Sequence, residues 1–164
     1  EFPKIDTGRG TDTALAFAAA GELLAKELPH MLDHPAPLIC HLTDDVYTGQ
    51  DFEPIVNGLK QMWNRDGNVL IENIYISNKL GTDFSGDQAL QWPGIQPDTD
   101  LNDDYAQKLR AMSSTLPESY LDVLEDMGSK ISKDAVMMFP GNTLDFISLA
   151  FQMSAATGVG RNTK

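Results

Sequence analysis

Apolar positions divide the chain into runs of helical and strand period. Ala14, Phe17, Ala18, Gly21, Leu24, Ala25 and Leu28 recur at helical spacing and predict a helix from about Asp12 to Leu28. Small residues dominate its first half, which allows close approach to a sheet. Leu38-Ile39-Cys40-His41-Leu42 then runs almost unbroken and stops at Thr43-Asp44-Asp45. A short continuous apolar run reads as a strand buried on both faces, the usual state of a central strand in a parallel sheet. Phe52, Ile55, Val56, Leu59, Met62 and Trp63 form the stripe of a second helix, about Asp51 to Asn64, closed by the turn residues Arg65-Asp66-Gly67-Asn68. Val69 to Ile76 is rich in β-branched residues and predicts a second strand. Strand, helix and strand with short links make a βαβ unit, so the two strands should be parallel with a right-handed crossover.

From Ser77 to Asp104 the periodicity dissolves into a long loop punctuated by Gly81, Gly86, Pro93, Gly94 and Pro97. Loops of this length in compact domains are usually functional or mobile. Asp98, Asp100, Asn102 and Asp104 alternate like the start of a calcium loop, but Asp103 stands where that loop needs Gly and Leu109 where it needs Glu. The run therefore reads as the cap and acidic first turn of a helix from Asp103 to Met112. Thr115 and Glu118 have capping-box spacing for a further helix, with Tyr120, Leu121, Leu124, Met127 and Ile131 on its buried face and Gly128 interior or near its end. Ala135 to Phe139 predicts a third strand. Pro140-Gly141-Asn142-Thr143 turns into a last helix, with Leu144, Ile147, Ala150 and Phe151 facing inward. The tail from Gly158 is expected to be disordered.

Composition narrows the function classes. The 164 residues fit one domain, and 41% hydrophobic content is enough for a core. A formal net charge of −12 argues against nucleic acid and anionic membranes as partners. No apolar run approaches the roughly 20 residues of a membrane span, and the polar start Glu1-Phe2-Pro3-Lys4 does not read as a signal peptide. A cytoplasmic location is the expectation. Cys40 is the single cysteine, so no disulfide framework exists, and a buried, inert thiol is expected.

Candidate chemistry concentrates where the first strand ends. Carboxylates and hydroxyls at the carboxyl ends of strands are where open α/β sheets bind ligands, which singles out Asp44, although Thr43 and Asp44 would equally serve to turn the chain. His30 and His34 have the i, i+4 spacing of a metal pair, yet lack the glutamate of the zinc-protease motif and sit at a helix end that favours histidine for dipole reasons. His41 lies within the apolar strand and reads as a satisfied core histidine.

These residues together resemble a known family. Gly8-Arg9-Gly10-Thr11-Asp12-Thr13-Ala14-Leu15, then Leu38 to Asp44, then Asp66-Gly67-Asn68-Val69-Leu70, resemble in order and spacing the C-terminal part of a von Willebrand factor type A domain. Met112 to Pro117 and the closing strand and helix resemble a bacterial, intracellular branch. The resemblance runs from about Gly8 to Ala156. It implies a doubly wound α/β fold with a mainly parallel, Rossmann-like sheet and helices on both faces. It also implies a metal-ion-dependent adhesion site, MIDAS, at the carboxyl ends of the strands. Thr11 matches the family's threonine in a Gly-rich loop and Asp44 the aspartate after the fourth strand. Hydroxyl and carboxylate are hard oxygen ligands, so the implied ion is Mg2+, or else Mn2+ or Ca2+.

The chain departs from that pattern in three ways. No Asp-x-Ser-x-Ser segment occurs, the family's first strands would precede residue 1, and Asp45 stands where glycine is usual. The resemblance thus describes residues 1–157 as a partial domain followed by a tail, 158–164. The strand at Leu38 to Leu42 would then be an apolar edge that the missing part should cover, supplied by another chain or a preceding segment. The implied function is a protein-interaction module binding a partner through a divalent cation, of a kind that accompanies bacterial stress or defence systems. Two alternatives stand beside it: a degenerate, metal-free scaffold, and a metal-assisted hydrolase using Asp44, Asp45 and His41.

Overall fold

The computed structural model describes residues 12–44, 51–80 and 88–155. In chain order these form α1 (Thr13–Glu27), β1 (Leu38–Thr43), α2 (Glu53–Leu59), β2 (Leu70–Tyr75), α3 (Gln88–Gln91), α4 (Asp104–Met112), α5 (Glu118–Asp126), β3 (Met138–Pro140) and α6 (Leu144–Ala155). The three strands make a parallel sheet in the order β1-β2-β3. Leu38 lies opposite Leu70 and Thr43 opposite Tyr75, and β3 joins at Asn73. The expected βαβ unit is therefore present, and the architecture is α/β.

Alternation along the strands sends successive side chains to opposite faces. His41, Asn73 and Tyr75 face α1 and α4: the Phe17 and His41 rings are 5.0 Å apart, Tyr75 and Tyr105 5.5 Å. Cys40, Glu72 and Phe139 face the other way, toward Trp92 and α6, with Trp92 packed at 5.8 Å from Phe139 and 5.0 Å from Phe146. Helices thus cover both faces. The core is continuous through Phe52, Val56, Ile71, Ile74, Leu109, Leu124, Met137, Met138 and Phe146.

Caps account for the helix starts. Asp12 accepts from Leu15 N at 3.0 Å, and Asp103 accepts from Ala106 N at 3.1 Å, as the acidic run before α4 implied. The Thr115–Glu118 capping box does not form. Pro117 is the cap of α5 and makes no side-chain bond, because Thr115 is drawn into a bridge with Val136. Gly128 follows the end of α5 at φ +83, where its backbone lets Ser129 N reach Leu124 O at 2.9 Å. Gly141 is needed for another reason: a Cβ there would stand 2.8 Å from Ile76 Cγ1 and 3.1 Å from Ile76 backbone.

Several burial expectations are corrected. β1 is not buried on both faces. It is one of the two edge strands among the described residues, half-buried from Leu38 to His41, with Leu42 46% exposed. Pro37 O and Thr43 O accept from Leu70 N and Ile76 N, so by alternation the amides and carbonyls of Leu38, Cys40 and Leu42 point away from β2. Helix α2 ends at Leu59 rather than Asn64. Trp63, now beyond the helix and bridged to Asn68, is 65% exposed. In α6 the inward residues are Phe146, Leu149, Ala150 and Met153, which leaves Leu144 and Phe151 outside at 82% and 47%. Strand β3 starts three residues later than Ala135, because Val136 pairs antiparallel with Ile95 and Thr115 first.

Asn64 ties the link before β1 to the turn before β2. Its Nδ2 lies 2.9, 3.0 and 3.2 Å from the carbonyl oxygens of Met31, His34 and Pro35, while its Oδ1 accepts from Asp66 N and Gly67 N. Asn64→Ala leaves these part-buried backbone groups without their side-chain partner, and we expect it to lower unfolding free energy by about 1–3 kcal/mol in urea denaturation. An unchanged midpoint would show that the clamp contributes nothing.

Candidate functional site

The carboxyl end of the sheet is built by residues that converge from five segments. β1 ends at Thr43, whose Oγ1 is 3.5 Å from the Tyr105 hydroxyl on α4. Thr13, in the first turn of α1, reaches the same phenol. That contact is looser, since Thr13 Oγ1 is buried without a well-formed hydrogen bond. Burial pushes the Tyr105 pKa up, and the Thr43 and Thr13 hydroxyls oppose that shift. Tyr75, at the end of β2, donates to Asp103 Oδ2 at 3.0 Å. Lys108 of α4 pairs with Asp51 and lies 4.9 Å above the Phe52 ring.

Asp44 follows Thr43 directly and is exposed at this end of the sheet. Thr11 and Asp45 lie outside the described residues, as do the tail from Gly158 and residues 81–87 of the long loop. What is described is the chain immediately after Thr11: Asp12 caps α1 and Thr13 contacts Tyr105 beside Thr43. The start of α1 and the end of β1 therefore meet at one tyrosine. Asp44 is a hard oxygen donor suited to a small divalent cation. Among the described residues, no group of three or more His, Cys, Asp or Glu could hold a metal ion. His30 and His34 are exposed at the turn after α1.

His41 is committed elsewhere. Its Nδ1 is 2.8 Å from Asn73 Oδ1. Asn73 Nδ2 in turn donates to Leu109 O and to Ser113 Oγ, and Ser113 Oγ donates to Leu109 O. An amide oxygen only accepts, so His41 Nδ1 carries the proton. Burial pulls the His41 pKa below the usual value, with the Asn73 bond acting against it. Ser113 and Ser114 are likewise structural: Ser114 Oγ accepts from Ile71 N at 3.0 Å.

A second polar cluster, on the opposite face, was not anticipated from the sequence. Glu72 sits fully buried in the middle strand, and its Oε2 is hydrogen-bonded to Ser154 Oγ on α6. Ser154 Oγ is also 3.0 Å from Ala150 O. The Ser154 hydroxyl is thus placed to donate to either acceptor, Glu72 Oε2 or Ala150 O. Burial pushes the Glu72 pKa up, opposed by hydrogen bonds from Ser154 and Cys40. Cys40 is half-buried rather than fully buried, and burial followed by the Glu72 charge pushes its pKa to about 12. It is a thiol at neutral pH, without nucleophilic character. The only signal in the sequence was a Glu at the centre of a β-branched run.

No family model, curated protein or solved structure matches the chain. No helix among the described residues is long and apolar enough to cross a membrane.

The two buried titrating groups give opposite pH dependences. The folded state lowers the His41 pKa, so its contribution is full above about pH 6.5 and is lost as pH falls through the folded value. His41→Gln should flatten stability on that acid side in denaturation series at stepped pH. The folded state raises the Glu72 pKa, so its contribution is full below about pH 4.5 and is lost as pH rises through the folded value. Glu72→Gln should remove that decline; a decline that persists in the variant would assign it to another group.

Proposed function

We propose that the chain is a protein-interaction module of von Willebrand factor A type, which engages its partner at the carboxyl end of the sheet through a divalent cation. The single observation that carries this reading is the meeting of α1 and β1 at Tyr105, which brings the chain after Thr11 beside the residue before Asp44. Thr11 and Asp44 would hold the ion, Mg2+ by donor chemistry, or Mn2+ or Ca2+. When bound it would supply an open coordination position for a partner's carboxylate. Thr11 and Asp44 alone make too few donors for a tight site, so a further segment must contribute oxygens. We assign that role to a further segment, from another chain or from elsewhere in the same protein, which also covers the apolar edge of β1. The acidic chain with one unpaired thiol fits a cytoplasmic setting, and the bacterial branch it resembles suggests a stress or defence system.

A metal-free scaffold is the second reading, and Asp103 favours it. That carboxylate, near the same end, already accepts from Tyr75 and from Ala106 N. The hydrolase alternative has less to support it, because His41 lies within the strand, with its Nδ1 held by Asn73 and its ring tilted against Phe17.

Magnesium titration calorimetry, with intact mass of the same sample, separates the readings. Saturable binding that Asp44→Ala weakens at least tenfold, in a sample containing a second polypeptide, is the expected result for a completed cation site. No heat in either protein, with the partner segment present, would leave the metal-free scaffold.

A further inference from the structure

The opposite, amino-terminal end of the strands carries a cavity of about 300 Å3. Pro35 and Ala36 form one wall, Pro117 and the Tyr120 ring another, and Leu70 lies between them, with Asp66 also lining it. Its walls are pre-set. The carbonyl of Pro35 is held by Asn64, Ala36 N donates to Asp66 Oδ2 at 2.8 Å, and Pro117 caps α5. Prolines and a ring leave little side-chain freedom to lose on binding.

The polar side chains lining this cavity are those of Asp66, Asn68, Ser119 and Tyr120. Tyr120 is 6% exposed, and among the described residues its hydroxyl makes no hydrogen bond, although it is not sealed from the opening. Buried phenols normally find a partner. Among the described residues Asp66 is the only charged one lining the cavity, and it engages Ala36 through one carboxylate oxygen. Asn68 spends its Nδ2 on Lys60 O at 2.8 Å, which leaves its oxygen as the free end. A carboxylate, an amide oxygen and two hydroxyls able to accept as well as donate therefore stand over an apolar slot. Fully buried Glu72 lies behind Tyr120 and adds no positive charge.

We infer that this cavity is a binding site for a small primary amine with a flat apolar body, its ammonium set against Asp66 and the Tyr120 hydroxyl and its ring between Pro35, Pro117 and Leu70. A volume at the lower end of ligand sites suits a single-ring molecule. The site is independent of the cation reading, because it lies at the other end of the strands.

Phenethylamine titrated into the isotopically labelled full chain tests this by amide NMR. Saturable shifts confined to Ala36, Gly67, Leu70, Ser119 and Tyr120 are expected. Hydrocinnamate, of similar shape with a carboxylate, should bind at least tenfold more weakly, and methylamine should not saturate. Tyr120→Phe and Asp66→Asn should each weaken phenethylamine several-fold, while their denaturation midpoints show that the fold persists. Shifts that grow linearly and scatter over the acidic surface, equal binding of hydrocinnamate, or unchanged binding in both variants would each overturn the inference.

Discussion

The side-chain amide of Asn73 is the interaction on which the arrangement turns. It occupies a fully buried position on the middle strand, where an unpaired amide would cost about 1–3 kcal/mol. Its oxygen takes His41 from β1, and its nitrogen takes Leu109 O and Ser113 Oγ from α4. One residue thus links the edge strand, the middle strand and the helix above them. Hydrophobic burial tolerates sliding by a residue pair; this amide has partners in one register only. Lys60 closes the same region from outside, donating to Met112 O and Ser113 O at 3.2 and 3.3 Å. Ser114 then continues onto Ile71, occupying the edge of β2 before β3 begins.

That register decides what meets at the carboxyl end. With Thr43 level with Tyr75, both face α4, and Tyr105 and Asp103 of that helix receive their hydroxyls. Asp44 is the first residue past the paired part of β1, so its carboxylate is released to solvent where the first turn of α1 also arrives. His41 is two residues earlier than Thr43 on the same face, where its Nδ1 belongs to the network that sets the register.

Local signals in the chain explain most of the architecture. The alternation of apolar and turn segments, the parallel pair flanking α2, and the Asp103 cap all depend on neighbours in sequence, and each can be read there. What could not be read depends on where a helix stops or how it is rotated. Trp63 has the spacing of a core residue, yet α2 ends before it; Leu144 and Phe151 fit one stripe of α6, while Phe146, Leu149, Ala150 and Met153 form the one that meets Trp92 and the sheet. Both stripes are apolar, so periodicity alone does not choose. Glu72 is the sharper case. Its carboxyl is met by Ser154, 82 residues away in sequence, and no local pattern encodes that contact. At the candidate site Asp44 was identifiable from its place after an apolar run, whereas the role of Tyr105 as the meeting point needed the packed helix.

The alternating backbone of β1 carries a consequence for its motions. Ile39, His41 and Thr43 turn their amides inward to β2, while Leu38, Cys40 and Leu42 turn theirs outward. Within one six-residue strand, deuterium should therefore enter every second amide quickly and the intervening ones only when the sheet itself opens. Anything that docks along this strand would erase the alternation, so the strand is a built-in reporter of its own occupancy.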